Sequence, residues 1–345
     1  MASNTDGRRV RALAIAGTAL AIVVALAFGY AGSRGLSVRT AVPVEKLSIA
    51  VPTAPDAALL HIAAAKGYFA EEGLDVTLTP VSHGKAAMDL LAQGKADLAS
   101  AAEVPFVISV LKGQRLGIAA TVVSVPNEMA VVARRDRAIA EPRDLLGKRV
   151  GVTFGTSGEY FLWAFLIRHK LAPDSVTPVD MPPGQMVKAL ASGTIDAVST
   201  WEPIRSNAHS ALADNALSFT AADAYTVTQV VVGRSEFLKA RPGAIEKLVQ
   251  ALLKAEAFNR SEPQQALRLV ADQLKLDVKT LESSGWKDFA FKVDLRQSLL
   301  VTLEDEARWA MARGYVDKGP VPNFLPHLYL DALLAVQPDR VTVVH

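Results

Sequence analysis

Leu91-Ala92-Gln93-Gly94-Lys95-Ala96-Asp97-Leu98-Ala99-Ser100-Ala101-Ala102-Glu103 returns later in the chain as Leu190-Ala191-Ser192-Gly193-Thr194-Ile195-Asp196-Ala197-Val198-Ser199-Thr200-Trp201-Glu202. The shared pattern is L-A-x-G-x-x-D-x-x-S-x-x-E, with a proline after each copy, Pro105 or Pro203. A helix stopped by glycine, a short buried strand and a loop feeding a proline-opened helix would write such a pattern. Two copies in the same structural slot predict two similar α/β lobes.

The surrounding segments repeat the same order. Leu47–Val51 reads as a short strand, Pro52-Thr53-Ala54-Pro55-Asp56 as a turn, and Ala57–Lys66 as a helix ended by Gly67. Val76–Val81 is the next strand, Ser82-His83-Gly84 a loop and Ala86–Gln93 a helix. After Leu145-Leu146-Gly147-Lys148 the order restarts: strand Arg149–Phe154, loop Gly155-Thr156-Ser157-Gly158, helix Glu159–Lys170, strand Val176–Asp180, loop Pro182-Pro183-Gly184 and helix Gln185–Ala191. Strands alternating with helices predict a parallel-type sheet flanked by helices in each lobe. Met129–Ala133 reads as a strand leaving the first lobe and Tyr225–Gly233 as one returning to it. Two crossings make a hinge. The expected division is lobe I from 46–130 and 225–345, with lobe II at 131–224 between them. The amphipathic stripes in 244–334 are expected to cover the first lobe's sheet.

Ligands of open parallel sheets bind beyond the carboxyl ends of the strands. Four sets of loops fall there: Thr53, Pro55 and Asp56; Ser82, His83 and Gly84; Gly155, Thr156 and Ser157; and the twin loops with Ala102, Glu103, Trp201 and Glu202. Each opens a helix, offering unpaired N–H groups and a partial positive charge to a small anion or zwitterion. Thr156 and Ser157 read equally as a helix cap alone or as a cap that also touches ligand. Trp201 reads as packing or stacking, and its place in the repeat favours the cleft. Glu103 and Glu202 either favour a first helical turn or accept a bond from a ligand amine or hydroxyl, Glu202 being preferred.

Composition narrows the function. The 345 residues include no cysteine, excluding disulfides, thiolate metal sites and a thiol nucleophile. The formal charge is +2, and residues 1–31 hold Arg8, Arg9, Arg11 and Asp6, so the remainder is balanced and offers no basic face for nucleic acid. No H-E-x-x-H cluster, nucleophile elbow or Walker lysine occurs. No catalytic residue, metal or cofactor is assigned. Arg8, Arg9 and Arg11 followed by the uncharged run 12–31 read as an export signal, with an uncleaved anchor as the alternative and 32–45 as a linker. The body is therefore expected in the periplasm.

Residues 46–320 resemble the periplasmic substrate-binding proteins of ABC importers, in the branch serving nitrate, sulfonates and taurine. The resemblance rests on Lys66-Gly67-Tyr68-Phe69, Glu72-Gly73-Leu74-Asp75-Val76, Leu91-x-x-Gly94-x-x-Asp97, Asp144–Val152, Leu190-x-x-Gly193-x-x-Asp196-Ala197 and Trp201-x-Pro203, in family order. It implies a two-lobed type II binding-protein fold that closes on a small solute. It also implies ligand contacts at the loops named above, and an ABC permease with ATPase subunits as the partner of a monomeric receptor. Two rivals follow from the same fold: a membrane-anchored solute sensor, and a protein or enzyme related to pyrimidine-precursor synthases.

Overall fold

A computed structural model of the protein describes residues 44–283 and 285–344. The expected signal or anchor at 1–31 and most of the expected linker lie outside the described residues. The first segment holds β1 (Glu45–Pro52), α1 (Ala58–Ala65), α2 (Tyr68–Glu71), β2 (Leu74–Val81), α3 (Gly84–Ala92), β3 (Leu98–Ala102), α4 (Glu103–Leu111) and β4 (Leu116–Val125). The middle segment holds β5 (Ala130–Arg134), β6 (Arg149–Val152), α5 (Ser157–Arg168), β7 (Thr177–Asp180), α6 (Pro183–Ala191), β8 (Ala197–Thr200), α7 (Ile204–Leu212) and β9 (Ala216–Phe219). The last holds β10 (Val227–Arg234), α8 (Ser235–Ala240), α9 (Pro242–Ser261), α10 (Pro263–Leu274), α11 (Val278–Ser283), β11 (Ala290–Asp294), α12 (Gln297–Ala312) and α13 (Asp331–Val336).

The strands form two sheets, ordered β11-β4-β10-β3-β1-β2 and β7-β6-β8-β5-β9. Read from β2 and from β7 the orders correspond, with β10 beside β3 in one sheet and β5 beside β8 in the other. The twin stretches lie at equivalent places, and their shared residues do equivalent work. Gly94 and Gly193, at φ 68° and 76°, end α3 and α6 in the left-handed conformation that suits glycine. Asp97 accepts the Ser48 N–H at 2.8 Å, and Asp196 accepts the Arg149 N–H at 2.9 Å. Each aspartate, just ahead of its own strand, thereby ties that strand to a neighbouring parallel one.

The sheets differ from the parallel expectation. β1 pairs in parallel with β2 and β3, and β6 with β7 and β8. β10 is antiparallel to β3 and β4, β5 to β8 and β9, and β11 to β4. Both sheets are mixed because β5 and β10 follow the crossings and enter their sheets from the opposite end.

The first sheet's core is built around Ile49, Leu98, Val231, Leu248 and Leu252. The second sheet is covered on its two faces by separate clusters, one around Phe161 and Phe165, the other around Met186 and Leu190. α12 covers the first sheet as expected and also reaches the second. Leu299, Leu303, Ala307 and Met311 join the first core, whereas Trp309 and Ala310 join a cluster of the second. Its stripe is wide enough to face two partners at once.

Candidate functional site

β1, β2, β3, β6 and β8 all end toward one cavity. Pro52 lines it from the end of β1, Ala54 and Asp56 from the turn after it, His83, Gly84 and Lys85 from the start of α3, and Ala102 and Pro105 from the end of β3 and α4. Thr156 and Ser157 come from the start of α5, Trp201 from the end of β8, and Glu128, Met129, Val227 and Gln229 from the two crossings and β10. Both sheets and both connections between them therefore contribute to one wall.

Of the residues singled out in the sequence, Asp56, His83, Gly84, Ala102, Thr156, Ser157 and Trp201 are on this wall. Thr53, Pro55, Ser82, Glu103, Gly155 and Glu202 are not. Thr53 Oγ1 donates to the Val81 carbonyl at 3.3 Å, and the Ser82 hydroxyl bonds His83 Nδ1 at 2.8 Å. Both carboxylate oxygens of Glu103 accept the Thr228 N–H at 3.0 Å, which ties α4 to β10. Glu202 pairs with Arg205 at 2.7 Å and accepts the Ser206 N–H at 3.1 Å, stabilising the first turn of α7. Thr156 is not a side-chain cap: its hydroxyl donates to the Thr153 carbonyl at 2.7 Å. The Gly155 N–H is taken by Glu159 Oε2 at 2.8 Å. Two residues sit where only glycine fits closely. A Cβ on Gly84 would stand 2.9 Å from Ala101 Cα, and one on Gly158 3.1 Å from the Ser199 carbonyl and 3.2 Å from the Trp201 ring.

Sequence reasoning missed Glu128 and Gln229. Glu128 lies in the first crossing, just after Pro126-Asn127, where no repeat marks it. Gln229 interrupts the apolar run of β10, which is itself a signal. The β3–β10 register sets Gln229 opposite Ala102, and so brings it to the same wall. The crossing that carries Glu128 is held by Arg205, which donates to the carbonyls of Asn127 at 2.7 Å and Glu128 at 3.3 Å.

The electrostatics are dominated by buried acids. Burial pushes the Asp56 carboxyl up to about 7. Glu103 is pushed up to about 8 by burial, against the N–H groups that it accepts. Glu128 is raised well above the ordinary glutamate value, first by burial and then by the nearby charges of Asp56, Glu103 and Glu202. His83 is lowered by burial and by Lys85, which keeps its ring neutral near pH 7. Its ring centre lies 6.5 Å from that of Trp201. Among the described residues no cluster of His, Asp and Glu could hold a metal ion, and no helix is long and apolar enough to cross a membrane.

Comparison with known proteins places this geometry. A Brucella abortus protein whose name says that it binds is 27% identical over 237 residues, 65% of this chain and 70% of the relative. The taurine-binding periplasmic protein of Escherichia coli is 27% identical over 143 residues, 41% of this chain and 44% of the relative. Among solved structures, the alkanesulfonate-binding protein of Xanthomonas axonopodis bound to MOPS superposes with a TM-score of 0.73 at 18% identity, over 84% of this chain and 99% of that one. The periplasmic nitrate-binding protein of Synechocystis gives 0.67 at 16%, over 86% and 91%. The fold is thus the two-lobed fold of periplasmic binding proteins. Residues 54–266 match the model of the NMT1/THI5-like family, and the chain belongs to that family.

Proposed function

We propose that this chain is a periplasmic solute receptor of an ABC importer. It captures one small charged solute between its lobes and delivers it to a permease with ATPase subunits. The observation that carries the reading is the shared wall: Asp56 and His83 come from one sheet's loops, Ser157 and Trp201 from the other's, and Glu128 from the crossing between them. A solute that touches both lobes stabilises the closed arrangement by its differential affinity for it. The names of the relatives, which bind sulfonates, taurine or nitrate, support a small charged solute. Lobe I at 46–130 and 225–345, lobe II at 131–224 and a monomer in solution complete the proposal.

A thermal-shift screen of small sulfonates, amines and anions on the exported chain tests it, followed by small-angle scattering with each hit. A binding solute raises Tm and reduces the radius of gyration. Trp201→Ala is expected to weaken that solute about tenfold and, because the ring also belongs to the second sheet's core, to lower the Tm of the free protein. A screen in which no solute moves Tm or closes the lobes would remove the receptor reading.

A further inference from the structure

We infer that the solute presents a protonated nitrogen to Asp56, Glu128 and Gln229, an assignment that rests on the receptor reading above. All three residues line the cavity and are at least nine-tenths buried, with exposures of 8%, 2% and 1%. Each keeps one acceptor oxygen with no donor on this chain: Asp56 Oδ1, Glu128 Oε2 and Gln229 Oε1. Gln229 is oriented by its other end, since Nε2 donates to the Ser100 hydroxyl at 3.1 Å. A buried acceptor oxygen left without a donor is costly, and three such oxygens call for a group rich in N–H donors whose charge also lets the two acids ionise. An ammonium group supplies three donors and a positive charge. An anion supplies only further lone pairs.

The charges around the wall point the same way. Glu103 and Glu202 stand behind it and raise the cost of ionising Glu128, so the site is short of positive charge. Arg205 is spent on Glu202 and on the carbonyls of the crossing. Lys85, at the mouth, is half exposed and pairs with Asp89 at 3.2 Å. In lobe II the first turn of α5 already carries a carboxylate of the chain, Glu159, which accepts the Gly155 N–H just ahead of the helix. Trp201 adds a ring on the wall against which a cation can rest.

The test uses two size-matched probes, n-propylammonium and 1-propanesulfonate, at equal ionic strength on the exported chain, read by calorimetry. Propylammonium is expected to bind about tenfold tighter or better than propanesulfonate. Taurine is expected to outbind ethanesulfonate, from which it differs by its amine. Glu128→Gln and Asp56→Asn keep the side-chain shapes, and each is expected to weaken propylammonium about tenfold while retaining the wild-type circular dichroism. Equal affinity for the two members of either pair, or no propylammonium binding at about 50 mM, overturns the assignment. So does unchanged affinity in both folded variants. If propanesulfonate binds better and closes the lobes, the receptor reading stands and the nitrogen assignment alone falls. If no solute closes the lobes, the receptor reading falls first.

Discussion

At the scale of single residues, Glu103 shows how one position can serve folding rather than contact. Its carboxyl holds the Thr228 N–H, so it fixes the return crossing, and it is buried with Tyr225 and Glu306 close by. Burial and the charge of Glu103 push Glu306 well above the ordinary glutamate value, and Tyr225 is likewise raised. The unfolded chain ionises Glu103 near its ordinary value of 4.5, whereas the folded chain keeps the proton up to about 8. Between those values the native state binds more protons, so stability falls as pH rises, by at most about 1.4 kcal/mol per pH unit for each such carboxyl. Asp56, Glu128 and Glu306 act in the same sense. Melting temperature is therefore expected to drop from pH 5 to pH 8, and Glu103→Gln should flatten that drop by its own share. A Glu103→Gln variant with the wild-type pH profile would show that the carboxyl is ionised throughout. Position in the repeat was enough to place Trp201 and Ala102 on the cavity wall. It could not separate Glu103, which a backbone N–H from another strand engages, from Glu128, which no repeat marks. Such distinctions depend on contacts between residues far apart in the chain.

At the scale of elements, the order of strands and helices was legible because turn residues and apolar runs punctuate the chain. Strand direction at the crossings was not, because antiparallel pairing of β5 and β10 depends on which end of the sheet the chain re-enters. The start of α3 was also misplaced, and the reason is a close approach. Ala86–Gln93 has helical composition, but the helix begins at Gly84, whose missing side chain lets α3 lie against the end of β3. In Gly84→Ala the new Cβ would meet the Ala101 backbone at 2.9 Å, where no flexible side chain can yield. α3 must then move away from β3, at a cost of about 1–3 kcal/mol. His83 and Lys85 move with it. The expected result is a Tm lower by several degrees and a weaker solute complex. Gly243→Ala, where a Cβ meets nothing within 4 Å, is the control: it should leave solute affinity unchanged and keep or slightly raise Tm, since alanine favours α9. A fully stable, fully binding Gly84→Ala protein would mean that α3 is not seated against β3 as described.

For the whole molecule, the C-terminal part of the chain turns out to hold the lobes to one another as well as cover one of them. Trp309 of α12 packs edge-on against Tyr160 of α5 at 5.3 Å, and Tyr160 meets Tyr225 of the return crossing at 4.9 Å. Just beyond α12, Arg313 donates to Glu159 Oε1 at 2.9 Å, and the Tyr315 hydroxyl donates to Oε2. Glu159 is almost fully buried and also holds the Gly155 N–H, so one carboxylate joins α12, α5 and the loop that carries Thr156 and Ser157 to the cavity. The amphipathic stripe of α12 was readable, but its second partner was not, since Trp309 could equally have packed on the first sheet. Arg313→Gln removes the guanidinium while the carboxylate stays buried. Breaking a fully buried pair costs about 3–5 kcal/mol. Arg313 is 35% exposed, so solvent screening reduces the expected cost to about 1–2 kcal/mol. Because Glu159 positions a cavity loop, the loss is expected to appear twice, as a lower Tm and as about a tenfold weaker solute complex. Arg308→Gln breaks only exposed pairs with Glu304 and Asp305 on the same helix and should change neither measurement. If Arg313→Gln lowers Tm but leaves solute affinity and the scattering-detected closure intact, the link stabilises α5 alone and plays no part in bringing the lobes together.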